Sequence, residues 1–334
     1  MSQTVIFVVG AIVFAITVYG AVMAGGLAMT WIEIEQNPDR KKNVDDDELK
    51  KRFPLRMKYE KCATTDAAPK PSCSPSPDCR VAVSITVEPV IAHPPAWNRR
   101  VVLRQRWAEL AYFHWRFEPE VVQRQLPAGV TVDTFDGAAW VGLIPFEMRN
   151  VQLGTTPPLP WLGSFLEINV RTYVVDALGR RAVWFFSLDV PRSVIVAVAR
   201  SVFALPYCWA KASHERDGHR HRYEMTRCWP RRPGAFAQIG FTVGDAIQDD
   251  EVSDLDHFLS ARWALVTQRR KQLLSGQVRH SRWPLQRVTD VAIDETVIEA
   301  AGLPAPTGSP HALFSPGVDV EVAWFQNVPA QEAR

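Results

Sequence analysis

The run Phe165-Leu-Glu167-Ile-Asn169-Val-Arg171-Thr-Tyr173-Val constrains this chain more than any other. It reads as a strand, being rich in β-branched and aromatic residues. Side chains alternate across a strand, so Glu167, Asn169, Arg171 and Tyr173 share one face. Leu166, Ile168, Val170 and Thr172 take the other. A row of polar groups on an otherwise apolar strand needs partners if it is buried. Two readings stand: a Glu–Arg pair that fixes register in the core, or the polar wall of a ligand cavity.

The preceding run, Asp133 to Met148, reads as the neighbouring strand, separated from the first by a Pro-rich loop. Further strands are expected at Trp107–Trp115 and Ala182–Val190. Gly218 marks a hairpin turn, with His219, His221 and Tyr223 on one face of the returning strand. A short helix is expected after Pro119, ending near Gly129. Ser253 with Asp256 resembles a capping box, and the helix it opens has the apolar stripe Leu255, Phe258, Leu259, Trp263 and Val266. Arg269, Arg270 and Lys271 suit its carboxy-terminal end. Thr289 to Ala301 reads as another helix, stopped by Gly302 and Pro304. Many strands and few helices predict a β-rich α+β fold, an antiparallel barrel or sandwich with helices packed outside.

The amino-terminal part is of another kind. From Val5 to Met29 there is no charged residue, and about 20 apolar residues suffice to cross a bilayer core. Met1-Ser-Gln-Thr lacks the basic start of a signal peptide, so an uncleaved span is expected. Arg40, Lys41, Lys42, Lys50, Lys51 and Arg52 all follow it, which places the rest of the chain in the cytoplasm. The expected organisation is a transmembrane helix at 1–31, a linker at 32–96 (charged, then rich in Pro and Ser), a folded domain at 97–325 and a tail at 326–334.

Several function classes are excluded. A formal net charge of +2 is too small to argue for nucleic acid. The five cysteines are odd in number and fit no zinc spacing, so reduced thiols are expected. His214, His219 and His221 lie close together, yet no carboxylate or cysteine at ligand spacing completes a metal site in that arginine-rich region. No metal is expected. No Gly-rich phosphate loop, GxSxG, HExxH or paired CxxC is present, and no cofactor is expected. Oligomeric state is not legible.

A set of motifs in order then gives the chain a family likeness. They include His114-Trp115, Leu126-Pro-Ala-Gly-Val-Thr-Val-Asp-Thr-Phe-Asp-Gly-Ala-Ala-Trp140, Pro145-Phe-Glu-Met and Glu167-Ile-Asn-Val-Arg171. Trp184-Phe-Phe-Ser-Leu-Asp189, Leu205-Pro206-Tyr207, Phe258-Leu-Ser-Ala-Arg262-Trp, His280-Ser-Arg-Trp-Pro-Leu285 and Ser315-Pro-Gly-Val-Asp319 follow. From about Trp97 to Phe325 the chain resembles the uncharacterised YqjF-like family of the acetoacetate decarboxylase-like superfamily.

That resemblance implies an antiparallel β-barrel around an internal cavity. Acetoacetate decarboxylase uses a Schiff-base lysine activated by a neighbouring lysine after a Phe-Pro dipeptide. The similar place here, Leu205-Pro206, is followed by Tyr207 and Cys208, so the pair is missing. Lys211 is the nearest replacement. Glu167 falls where the decarboxylase has a cavity glutamate, and Arg116 looks similar to a substrate-binding arginine. Expected ligand-binding residues are therefore Arg116, Glu167, Asn169, Arg171 and Tyr207, with Glu167, Tyr207 and Lys211 the candidates for catalysis. Three functions follow: a membrane-tethered binder of a small polar or carboxylate-bearing molecule, a lyase or decarboxylase using Glu167 and Tyr207, or a non-catalytic interaction module.

Overall fold

The runs rich in β-branched and aromatic residues are strands in the structure, a computed structural model that describes residues 86–96, 99–230 and 232–329. The expected membrane span and the linker as far as residue 85 lie outside those residues. Among the described residues no helix is long and apolar enough to cross a membrane. The end of the linker is tied down. Glu88 N–H donates to the Gly179 carbonyl (2.9 Å), and the Ile91 carbonyl accepts from Trp263 Nε1 (3.0 Å).

The elements in order are β1 (Val101–Phe117), α1 (Pro119–Gln123), β2 (Val130–Val132), β3 (Thr134–Phe135), β4 (Ala138–Leu153), β5 (Phe165–Asp176) and β6 (Arg181–Val190). Helix α2 (Ser193–Val198) runs into a π-helical turn (Ala199–Phe203). The rest are β7 (Tyr207–Asp217), β8 (Arg220–Trp229), β9 (Phe236–Ala246), α3 (Asp254–Ser260), β10 (Ala264–Arg269), β11 (Gln272–His280), β12 (Gln286–Glu295), α4 (Val297–Ala300), β13 (His311–Ala323) and β14 (Gln326–Asn327).

The strands join in one sheet in the order β14-β11-β10-β6-β7-β8-β9-β12-β13-β1-β4-β5-β2, with β3 beside β4. Two further pairings, β5 with β6 and β11 with β13, link separate parts of this path. The expectation of a wholly antiparallel sheet needs correction, because β6 pairs in parallel with both β7 and β10. Parallel neighbours require a crossover, and α2 with its π-helical turn supplies it between β6 and β7.

Two expected helices are also corrected. The helix opened by Ser253 stops at Ser260, and Trp263 and Val266 belong to the segment that becomes β10. The β-branched run after Ala264 pairs with β11 instead, turning back at Arg270 with φ 57°. Most of Thr289–Ala301 is the end of β12, and only Val297–Ala300 is helical. A bulge there, with Asp290 at φ 51°, breaks the two-residue alternation and makes the strand imitate helical spacing.

The main core lies against the apolar face of β5. Leu166, Ile168 and Val170 pack with Ala111, Phe113 and Trp115 of β1 and with Tyr223, Met225, Ile239 and Phe241 of β8 and β9. Burying each large apolar side chain stabilises by about 1.5–3 kcal/mol. The opposite face of β5 is equally buried, and it is the polar one.

Candidate functional site

Strand β5 holds Glu167, Asn169, Arg171 and Tyr173 in one buried row. The Tyr207 hydroxyl, arriving at the start of β7, donates to Glu167 Oε2 at 2.9 Å. Asn169 Nδ2 donates to Glu167 Oε1 at 3.2 Å. Burial raises the Glu167 carboxyl to about 7, against the pull of the Tyr207 and Asn169 hydrogen bonds. The nearby Asp189 carboxylate adds to the rise.

Asp189 itself is satisfied elsewhere. Arg227 clamps it through two bonds of 2.7 Å and also reaches Ser187 Oγ at 2.9 Å. This is a buried bidentate pair. It sits directly behind the Glu167–Tyr207 contact, because Asp189 lies opposite both Ile168 on β5 and Cys208 on β7.

Farther along β5, the Tyr173 hydroxyl donates to the Leu259 carbonyl at 2.6 Å. It accepts from Arg171 Nη2 (3.3 Å) and meets His114 Nε2 (2.7 Å). Since the tyrosine proton goes to Leu259, His114 Nε2 must be the donor, which makes Nδ1 its acceptor nitrogen. Burial and the Arg171 charge hold His114 well below the usual histidine pKa, so the ring is neutral. Gly142 gives the ring its place: a Cβ there would stand 2.5 Å from His114 Nε2.

Arg171 is the odd member. Three arginines are buried among the described residues: Arg171, Arg227 and Arg262. Arg227 meets Asp189, and Arg262 meets Asp133 at 2.6 Å. Arg171 meets no carboxylate among the described residues. It bonds Tyr173 Oη, makes a 3.5 Å contact with the Leu259 carbonyl and lies by the rings of Tyr112 and Tyr173 at 5.5 and 5.7 Å, and its charge acts on Tyr112 and Glu167. Glu167 and Arg171 are both buried and the Arg171 charge acts on the Glu167 carboxyl, but the two do not join in a direct ion pair. Asn169 lies between them and takes the carboxylate, while Arg171 turns to Tyr173 and α3.

Several buried polar atoms in this region have no partner: Arg171 Nε, Asn169 Oδ1, His114 Nδ1 and Trp107 Nε1. Leaving one such group unpaired costs about 1–3 kcal/mol, and an unpaired charge costs more. A guanidinium, an amide oxygen and a ring nitrogen in this state suit a polar, anionic guest.

Of the residues expected to bind a ligand, Glu167, Asn169 and Arg171 lie in the buried row of β5, and Tyr207 meets that row at Glu167. The other two candidates fall outside. Arg116 is exposed and pairs at 3.2 Å with Asp136 in the turn between β3 and β4. Lys211 is exposed on β7, where alternation puts it on the same side as the exposed Trp209. Of the three histidines, His214 bonds Glu147 (2.8 Å) and His221 (3.1 Å), while His219 is exposed in the turn, so the three do not converge. Sequence reasoning missed His114, Asp189, Arg227 and the Leu259 carbonyl. They come from other strands and from a helix end, and no spacing in the chain announces them.

Comparison with known proteins agrees with this architecture. An acetoacetate decarboxylase of solved structure superposes with a TM-score of 0.51 at 11% identity, over 72% of this chain and 93% of that one. The enduracididine biosynthesis enzyme MppR, complexed with pyruvate, gives a TM-score of 0.49 at 13% identity, over 70% and 90%. The fold is thus the β-rich, few-helix class similar to acetoacetate decarboxylase. Within that class the chain belongs to the DUF2071 family of uncharacterized conserved proteins, whose model matches residues 104–319. The uncharacterized protein YqjF of Bacillus subtilis (strain 168) is 29% identical over 219 residues, covering 66% of this chain and 89% of YqjF.

Proposed function

We propose that the domain binds a small organic molecule bearing a carboxylate, with Arg171 as its counter-ion and Glu167 and Tyr207 facing the rest of the ligand. The observation that supports this reading is the buried Arg171, which has no carboxylate partner among the described residues and an unbonded Nε. In this reading the β5–β6 and β11–β13 pairings close the sheet into a barrel around the polar row. Entry is from a groove of about 620 Å³ beside Arg104, Arg279 and Asp319. His280 lines that groove and contacts the Trp107 and Trp283 rings, and Tyr112 packs on Trp283.

The test is thermal unfolding with a panel of small carboxylic acids, for the full chain and for Arg171→Met. A true ligand at a hundred times its Kd stabilises by about 2.7 kcal/mol. The expected result is a raised Tm that the variant loses. An equal rise in both proteins would remove Arg171 from the site.

A second reading has its own support. A carboxyl poised near pH 7 beside a tyrosine hydroxyl is suited to proton transfer, as a lyase would need. Product formation from a bound 2-oxo acid, lost in Glu167→Gln, would establish it.

A further inference from the structure

The crossover between β6 and β7 leaves an apolar, basic-rimmed surface with no role in the site. From Ser193 to Phe203 the chain reads Ser-Val-Ile-Val-Ala-Val-Ala-Arg-Ser-Val-Phe, and Val198 and Val202 are exposed. Three other segments gather around it. At one end Arg192 lies over the Trp161 ring at 4.3 Å, and Trp161 is 70% exposed. At the other end Phe203 contacts Trp324 and Phe325 at 6.0 and 5.4 Å, and Trp324 is 57% exposed. Arg269, at the end of β10, donates to the Ser201 and Val202 carbonyls, with Arg270 and Lys271 exposed in the turn beside it.

The charge of this surface has one sign. Residues 151–166, 190–207, 268–273 and 323–329 contain Arg192, Arg200, Arg269, Arg270 and Lys271 and no Asp or Glu. The rest of the domain mixes signs freely, as in the Arg104–Glu321 and Arg282–Asp249 pairs. Exposed tryptophans and valines inside a purely cationic rim match the interfacial zone of an anionic bilayer. There indole rings sit at headgroup level and Lys and Arg meet lipid phosphates and carboxylates.

We infer that this face rests on an anionic lipid surface, with Trp161, Val198, Val202 and Trp324 entering the headgroup layer and Arg192, Arg269, Arg270 and Lys271 binding headgroups. The contact is the domain's own and does not depend on the residues before 86. It also adjoins the site, since Arg200 of the same segment donates to the Tyr207 carbonyl at 2.8 Å.

The test uses the full chain in nanodiscs of brominated phosphatidylserine or brominated phosphatidylcholine, with tryptophan quenching as the readout. Trp161→Phe/Trp324→Phe should lose part of the quenching seen in phosphatidylserine. Arg269→Glu/Arg270→Glu/Lys271→Glu should lose the same part with its tryptophans intact. The contribution should shrink in phosphatidylcholine. Trp31, near the apolar amino-terminal run, is common to all proteins and drops out of the comparison. Quenching unchanged by either set of substitutions would overturn the inference. So would dissociation of a dimer in detergent by the charge reversals, which would make this face a subunit interface. Unchanged exchange protection of β5 in each variant would show that the domain is intact.

Discussion

At the scale of single residues, Glu167 ties stability to pH. Its carboxyl stands at about 7 in the folded protein against an ordinary 4.5. Between those values the folded state keeps a proton that the unfolded state has released. Its contribution is therefore complete below about pH 4.5 and is lost as pH rises through 7, a change on the order of 3 kcal/mol. His221 and His280 act in the opposite sense. Burial lowers both to about 4, so their contribution is lost as pH falls from 6.5 toward 4. The total profile mixes these slopes, and the informative quantity is a difference. Measured by denaturant unfolding, Glu167→Gln should gain on the wild type as pH rises across this window. Parallel profiles would mean that Glu167 titrates as an exposed carboxylate does. Lysine chemistry gives a second expectation. A Schiff-base amine must be unprotonated, which takes burial or a neighbouring cation. Tyr207 and Cys208 fill the buried positions, and Lys211 and Lys271, the only lysines from residue 86 to 329, are both exposed. Acetoacetate with borohydride should leave no adduct detectable by mass spectrometry. A modified Lys211 would refute this.

At the scale of elements, the short helix α3 does more than its length suggests. Ser253 Oγ accepts from the Asp256 N–H (3.1 Å), and Asp256 Oδ2 accepts in return from the Ser253 N–H (2.9 Å). This box fixes the helix whose Leu259 carbonyl receives Tyr173 and Arg171. Ser253→Ala should cost about 1 kcal/mol in denaturant unfolding. It should also weaken ligand binding, because the carbonyl that orients Tyr173 loses its support. A loss of stability with no loss of affinity would confine α3 to a structural role. The same element shows what the chain makes legible. The cap could be read because its partners are three residues apart, and the row on β5 because alternation fixes its face. The helix end could not be read, since the stripe from Leu255 to Val266 satisfies helical spacing although Trp263 and Val266 lie beyond the helix. The polar setting of His114 was hidden for a related reason. It depends on Gly142 lying opposite across β1 and β4, and on Tyr173 one strand beyond.

At the scale of the whole molecule, the chain joins an apolar amino-terminal run to a β-rich domain. From Val5 to Met29 the chain offers a bilayer no charge to exclude, and Arg40, Lys41, Lys42, Lys50, Lys51 and Arg52 lie between that run and the domain. We propose that the run anchors the protein with the domain on the cytoplasmic side. A tether of this kind would raise the domain's effective concentration at the membrane, so that a weak interfacial contact is occupied much of the time. The two contacts differ in how they are broken. Alkaline carbonate opens vesicles and strips proteins held by surface charge and shallow insertion, but it leaves a membrane-spanning helix in place. The full chain should therefore stay in the membrane pellet after carbonate extraction. Arg269→Glu/Arg270→Glu/Lys271→Glu should stay there as well, because its span is untouched. Protease added from the cytoplasmic side should remove the domain and leave a short amino-terminal fragment in the pellet. Release of the full chain by carbonate would show that no residue of it crosses the bilayer, and the anchor would have to be withdrawn.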